Sequence, residues 1–157
     1  MSELYIKSFP ELTTEELYEI LRTREAVFIV EQRCPYPEAD GKDYEAMHLY
    51  YRDDDGRVVA YLRLYEKKDE PGTIQVGRVV TAVRGVGLGR RILHDGVTYA
   101  IDHMGARRIY LHSQVYAKGF YEKEGFAVCS EPFLEDEIPH VQMRRDAAPF
   151  TSTKDTL

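Results

Sequence analysis

Three glycines at alternate positions, in Arg84-Gly85-Val86-Gly87-Leu88-Gly89, stand between a strand-like run and a helical pattern and constrain the fold more than any other feature. The run before them, residues 74–81, is rich in β-branched residues and reads as a strand. After them, Ile92, Leu93, Val97, Ala100, Ile101 and Met104 share one helix face, and Gly105 stops that helix where a C′ glycine belongs. A strand that turns through glycines into a helix brings backbone N–H groups close to whatever lies in front of it. The helix adds its unpaired first-turn amides and the positive end of its dipole. Together these form an anion site suited to a pyrophosphate. A Walker loop fails, because Gly89 is followed by Arg90-Arg91. The dinucleotide fingerprint fails too, because the spacing is G-x-G-x-G rather than G-x-G-x-x-G. A purely structural glycine turn is the remaining alternative.

The surrounding elements alternate in type. Residues 4–9 alternate as a first strand, stopped by Pro10. Thr13 and Glu16 have capping-box spacing, and Leu17, Ile20, Leu21, Arg24, Val27 and Phe28 follow at helical spacing, so a helix runs toward Val30. Residues 31–41, with two prolines and a glycine, form a loop long enough to be functional. Residues 47–52 and 58–66 are strands across Asp53-Asp54-Asp55-Gly56, a hairpin signal. That Asp run reads as a solvated turn, since it lacks the closing Glu of a calcium loop. Pro71-Gly72 turns the chain into the strand before the glycine loop, where Gly77 suggests a bulge or a close backbone approach. A strand over 107–113 and a short helix over 117–124, ended by Gly125, come next. Closing strands over 127–133 and 140–145 flank a loop at 134–139. The order β-α-β-β-β-α-β-α-β-β defines an α+β (mixed α/β) domain over residues 1–146, with a tail over 147–157 expected to be disordered.

Composition narrows the function. With 27 acidic against 21 basic side chains and a net charge of −6, the chain lacks the basic clustering that sequence-independent nucleic-acid binding needs. A hydrophobic fraction of 43% in 157 residues supplies a core without staples. The two cysteines, Cys34 and Cys129, are far apart, and no secretory leader or membrane-length apolar run is seen, so a cytoplasmic chain that engages no membrane is expected. The five histidines show no ligand spacing, and no metal is expected.

Gly77-Arg78-Val79-Val80, the loop over 84–89, and Phe120-Tyr121-Glu122-Lys123-Glu124-Gly125-Phe126 together resemble the GCN5-related N-acetyltransferase (GNAT) superfamily, whose Q/R-x-x-G-x-G/A signature the loop matches. Val27-Phe28-Ile29-Val30-Glu31-Gln32, Cys34, Tyr36, Glu38, Asp40-Gly41, Asp43, His48, Gln114 and Ile138-Pro139-His140 are similar to its ElaA-like branch. The likeness covers residues 4–146. Only Thr81-Ala82-Val83 separates Val80 from Arg84, a shorter connection than is usual in the family. The resemblance implies a single GNAT-like domain with a central, mainly antiparallel twisted sheet and helices on both faces. It implies transfer of an acetyl group from acetyl-CoA, a cosubstrate, to a primary amine of a small molecule or peptide by direct attack in a ternary complex.

Residue roles follow from the same resemblance. Val79, Val80 and Thr81 would meet the pantetheine and the thioester carbonyl. Arg84, Gly85, Val86, Gly87, Leu88, Gly89 and Arg90 would hold the pyrophosphate, and Gln114 joins the cofactor contacts. Tyr121 takes the place of the general acid, and a phenol with a pKa of about 10 stays protonated and able to donate. Base candidates are His48, His112, His140 and Glu31, with Glu38, Asp40 and Asp43 able to act through water, or water acting unaided. The acidic residues of 31–45 either suit a cationic amine or are solvated surface. Cys34 reads as a packed thiol rather than an acyl-enzyme nucleophile. A homodimer is the prior for assembly. The alternative function is a non-catalytic acyl-CoA-binding regulator.

Overall fold

The computed structural model describes residues 3–32 and 37–147. Its first helix starts at the capping box: Thr13 Oγ1 accepts from the Glu16 N–H at 3.1 Å, and Glu16 Oε1 accepts from the Thr13 N–H at 2.9 Å. This opens α1 (Thr14–Arg24), which continues as a wider π-helical segment over Glu25–Glu31. The helix thus reaches the expected end near Val30, but with its last turns loosened. The remaining elements are β1 (Glu3–Ser8), β2 (Met47–Arg52), β3 (Val58–Glu66), β4 (Thr73–Thr81), α2 (Leu88–His103), β5 (Arg108–Gln114), α3 (Lys118–Glu122), β6 (Ala127–Val128), β7 (Phe133–Glu135) and β8 (Ile138–Asp146).

The chain divides into two compact units, Met1–Tyr65 with Gly77–Gly96, and Glu66–Val76 with Val97–Leu157. In the first, β1 pairs antiparallel with β2 from Glu3 opposite Arg52 to Ser8 opposite Met47. β2 pairs antiparallel with β3, with a bulge between Tyr51 and Arg52. The core here joins Ile20 of α1 to Tyr50, Val58, Tyr61 and Val80, with Tyr5, Leu12, Val27 and Phe28 packed against it. Val80 therefore anchors the strand that leads into the glycine loop. The start of α2 lies against β3: a Cβ at Gly96 would come within 2.9 Å of Leu62 Cδ2, so glycine permits the close approach.

In the second unit β4 begins parallel to β5, with Ile74 opposite Ile109. β5 then pairs antiparallel with β8 along its whole length, from Arg108 opposite Asp146 to Gln114 opposite His140. β6 and β7 both pair antiparallel with β8. The β4–β5 pairing is parallel and the β1–β2, β2–β3, β5–β8, β6–β8 and β7–β8 pairings are antiparallel, which fits the mainly antiparallel expectation. Gly105, at φ 66, ends α2, and the Ala106 N–H reaches back to the Ala100 carbonyl at 3.1 Å.

Three expectations change here. The strand read over 127–133 is two short strands, because Pro132 offers no N–H and the Ser130 hydroxyl accepts the Gln142 N–H at 2.9 Å in place of a ladder carbonyl. The loop read over 134–139 is a tight hairpin whose two turn residues, Asp136 and Glu137, take φ 51 and φ 64. Such turns normally announce themselves through glycine or asparagine, and this one does not. Third, Ala147 is buried and its N–H bonds the Arg107 carbonyl at 3.0 Å, so the ordered chain passes the boundary set at 146. The rest of the expected tail, 148–157, lies outside the described residues.

Glutamate in a left-handed conformation carries a Cβ penalty that glycine escapes. We therefore expect Glu137→Gly to raise the unfolding free energy by about 1 kcal/mol in chemical denaturation. A drop in stability would show that the glutamate side chain contributes more than its backbone costs.

Candidate active site

The glycine loop is built as its spacing demands. Gly85 and Gly87 take φ 80 and φ 78, and a Cβ at either position would meet nothing within 4 Å, so their requirement is backbone rotation rather than space. Leu88, Ile92 and Leu93 are buried and fix the first turns of α2, where the Arg91 N–H closes on the Gly87 carbonyl at 3.1 Å. Val79 and Thr81 are half-buried, Val80 is buried, and Arg84, Val86 and Arg90 are exposed. The turn over 82–87 is exposed at the end of β4 and leads straight into α2, whose first-turn amides suit an anion. Arg84 Nη2 lies 2.6 Å from Glu31 Oε1, both side chains more than half exposed at 63% and 57%. The structure thereby joins a predicted pyrophosphate ligand to a predicted base.

The same unit holds a cluster of which the sequence disclosed only the acidic half. Arg24 and Arg63 are 0% and 2% exposed at their side chains. Arg24 Nη1 and Arg63 Nη1 both donate to Asp43 Oδ1, at 2.8 and 3.0 Å. Arg63 also grips Asp40 with two bonds, 2.9 and 2.6 Å. Arg24 Nε pairs with the Glu38 carboxylate, and its Nη2 donates to the Glu38 carbonyl at 3.1 Å. Arg78 approaches the same carboxylate and carbonyl, both at 3.0 Å. Three of the carboxylates in 31–45, those of Glu38, Asp40 and Asp43, are therefore engaged by arginines, while Glu31 and Glu45 are exposed. The signal was present, since Arg24 falls on the apolar stripe of α1 and Arg63 interrupts an otherwise apolar strand, and charges in such places need partners.

The titration of these groups follows from their partners. Burial alone would raise the Asp43 carboxyl, but the hydrogen bond and charge of Arg24, with Arg63 beside it, hold it below the usual carboxylate range. Asp40 is likewise depressed: desolvation opposes ionisation and Arg63 overrides it.

Each base candidate occupies a distinct setting. His48 is fully buried; Tyr61 Oη donates to its Nδ1 at 2.6 Å, and its Nε2–H donates to the Asp43 carbonyl at 3.0 Å. Burial pushes its pKa down, so the ring stays neutral in that one tautomer. In the second unit, Tyr110 Oη lies 2.8 Å from His112 Nε2 and His112 Nδ1 lies 2.7 Å from Glu135 Oε1. His140 Nδ1–H donates to the Ile138 carbonyl at 2.7 Å, leaving Nε2 3.8 Å from Glu135 Oε2. Phe133 lies against both imidazoles, at ring-centroid distances of 5.3 and 6.1 Å. The structure thus gathers His112 and His140 around one carboxylate. Glu135 went unremarked in the sequence because its strand was read as loop.

Tyr121 stands on α3, half-buried, edge-on to Phe120 at 5.0 Å and to Phe126 at 6.2 Å. Burial raises its pKa, so the phenol holds its proton. The Phe126 N–H closes on the Tyr121 carbonyl at 3.2 Å, and Gly125 ends the helix at φ 94, as its position led us to expect. Gln114 closes β5, half-buried and in register with His140. Cys34 lies outside the described residues, and Cys129 is an exposed free thiol. Among the described residues no group of three His, Cys, Asp or Glu side chains could hold a metal ion, and no helix is long and apolar enough to cross a membrane.

A glycine-turned strand end thus feeds a helix in a mixed α+β chain with a mostly antiparallel sheet. The family described as acetyltransferase (GNAT) domain matches residues 11–147, and the chain belongs to it. It is 40% identical over 145 residues to a UPF0039 protein of Schizosaccharomyces pombe, covering 90% of this chain and 95% of the relative. The crystal structure of an acyl-CoA N-acyltransferase from Pseudomonas aeruginosa superposes with a TM-score of 0.86 at 38% identity, covering 92% of this chain and 99% of that one. That of Escherichia coli ElaA superposes with a TM-score of 0.86 at 33% identity, covering 93% and 100%.

Removing one member of a buried ionic cluster leaves its partners uncompensated. Asp43→Ala should therefore lower the unfolding free energy by about 3–5 kcal/mol. A depressed native pKa contributes stability above the unfolded value, and that contribution fades as pH falls from about 4 toward the native value. Wild type should accordingly lose stability on acidification through that window, and Asp43→Ala should lose less. Denaturation curves at several pH values measure both; a variant as stable as wild type would mean that the cluster contributes nothing.

Proposed function

We propose that the chain is an N-acetyltransferase that carries the acetyl group of acetyl-CoA to a primary amine of a small molecule or peptide by direct attack. The observation that carries this reading is the loop over 84–89, with two left-handed glycines directly before the 16-residue helix α2, in a chain matched by the GNAT family from 11 to 147. The fit is chemical as well as geometric. Open space before Gly85 and Gly87, first-turn amides and the exposed Arg84 and Arg90 suit a pyrophosphate. Exposed Val83 and Val86 offer apolar contact beside them.

In this reading acetyl-CoA supplies an activated thioester, and the chain supplies position, charge stabilisation and proton transfer. Main-chain N–H groups of Val79, Val80 and Thr81 serve the negative charge that develops on the carbonyl oxygen. Tyr121 donates a proton to the departing thiolate; burial raises its pKa, so the phenol holds the proton that it gives. For the base, the settings favour His140. His48 has both nitrogens engaged and no exposure, His112 is bonded at both nitrogens, and Glu31 is paired with Arg84. His140 keeps Nε2 as its lone-pair nitrogen, because the Ile138 carbonyl fixes the proton on Nδ1, and Glu135 stands by to stabilise the imidazolium.

Acetyl-CoA should raise the melting temperature by linkage, by the equivalent of about 2.7 kcal/mol at a hundredfold excess over Kd. Gly87→Asp should abolish the shift, since a side chain strains φ 78 and its carboxylate repels the pyrophosphate. Equal shifts in both proteins would put the cofactor elsewhere. A thiol-release screen across polyamines, aminoglycosides, amino acids and peptide N-termini tests the reaction itself. Binding without release for any amine would favour a non-catalytic acyl-CoA-binding protein.

Tyr121→Phe keeps the ring packed against Phe120 and Phe126, so folding and cofactor affinity should survive. The chemical step should slow by about 10²–10⁴, and by less with a more acidic thiol leaving group. Unchanged turnover where chemistry limits the rate would reduce Tyr121 to a packing residue.

A further inference from the structure

Among the described residues only three other than glycine have a left-handed backbone: Arg78 at φ 54, Asp136 and Glu137. The last two make a hairpin turn, where such φ values are required. Arg78 is different, because it lies inside β4, where a pleated strand calls for φ near −120 to −140°. Gly77, next to it, could have taken this conformation without penalty, yet the arginine takes it. A side-chain-bearing residue persists in that region only where its surroundings over-determine it.

The surroundings are specific. Arg78 Nε lies 3.0 Å from each oxygen of the Glu38 carboxylate, and its Nη2 donates to the Glu38 carbonyl at 3.0 Å and to Asp40 Oδ2 at 3.4 Å. Glu38 and Asp40 are themselves held from behind by Arg24 and Arg63, whose guanidinium groups are sealed from water. The Arg63 Nε, buried and without a hydrogen-bond partner, would lie 3.6 Å from a Cβ at Gly77 and so sits against the strand just before the irregularity. A rigid ionic frame therefore grips the one residue at which β4 departs from its pleat. Val79, Val80 and Thr81 follow immediately, so their N–H and carbonyl directions depend on the Arg78 torsion.

We propose that Glu38, with Asp40, is a positioning residue: its ion pairs hold Arg78 left-handed and thereby aim the main chain of residues 79–81 at the acyl-CoA. This rests on the reading of β4 and the following loop as the cofactor site. It assigns the acidic loop a mechanical task, setting the shape of the cofactor strand without touching the cofactor.

The test separates backbone shape from charge. Acetyl-CoA affinity is measured by calorimetry, with folding checked by circular dichroism, for wild type, Arg78→Ala, Arg78→Gly, Glu38→Gln and the Arg78→Gly/Glu38→Gln double variant. Arg78→Ala loses the clamp and keeps the Cβ penalty, so its affinity should fall about tenfold or more. Arg78→Gly takes φ 54 without a clamp and should retain affinity within about threefold. Glu38→Gln should weaken binding in the wild-type background and have little further effect in the Arg78→Gly background. Should Glu38→Gln not fold, the Arg78→Ala and Arg78→Gly pair decides alone, because both keep the Glu38–Arg24 contacts. Equal affinity in Arg78→Ala and wild type overturns the inference, and so does an Arg78→Gly protein as weak as Arg78→Ala. If wild type itself binds no acetyl-CoA, the proposed function falls and takes this inference with it. Binding by wild type with no effect of Arg78→Ala removes the inference alone.

Discussion

Arg24 and Arg63 have almost no access to water, yet a guanidinium cannot shed its charge as a lysine or histidine would. Everything near them must supply compensating carboxylates in fixed geometry, because an uncompensated buried charge costs several kcal/mol. Asp43 bridges the two, Asp40 closes on Arg63, and Glu38 closes on Arg24. The frame draws on α1, the loop before β2, β3 and, through Arg78, β4. Three guanidinium groups face three carboxylates, so the cluster is neutral when all are ionised. His48 and Tyr61 extend it by neutral hydrogen bonds, since a further cation would upset that balance.

One consequence is that net charge says little about the acceptor. The chain is acidic overall, and several of its most suggestive carboxylates lie in 31–45, a region that invited the idea of a cationic substrate. Glu38, Asp40 and Asp43 are bound to arginines instead, so in the proposed reading attraction of an amine would come from other groups. Glu135, between His112 and His140 and beside Phe133, pairs a carboxylate with aromatic faces, a combination that favours ammonium groups. It became visible only when strand register placed β7 on β8.

What the sequence made legible was local. The Thr13–Glu16 capping box, the Asp53–Gly56 turn, the glycines before α2 and the stop at Gly105 are determined within a few residues, and each is found where the pattern put it. Misreadings arose where distant parts override local preference. Asp136 and Glu137 accept left-handed torsions because β7 and β8 pair on either side of them. The strand at 127–133 breaks because Ser130 substitutes its side chain for a backbone acceptor. Gly77 suggested a bulge or a close approach, and the structure divides the two: Arg63 lies close by, but the irregular torsion belongs to Arg78. Arg24 was visible on the apolar face of α1, but nothing in its own neighbourhood named Glu38 or Asp43 as partners.

The cluster of Arg24 and Arg63 and the pair of Arg84 with Glu31 differ in solvation. The pairs of Arg24 and Arg63 are held by multiple bonds to guanidinium groups that are 0% and 2% exposed, where exchange for another anion would require rebuilding the frame. The Arg84–Glu31 pair is a single contact between side chains more than half exposed, and such pairs are worth about 0–1 kcal/mol. In the proposed reading, a doubly charged pyrophosphate at the glycine turn would compete with one screened carboxylate and have the helix dipole and the first-turn amides on its side. On that reading Glu31 would be displaced at little cost, and Arg84 would change partners without disturbing the core. Keeping the enclosed charges on Arg24 and Arg63 apart from the exposed Arg84–Glu31 pair would let β4 hold its shape while the loop trades a protein carboxylate for a ligand.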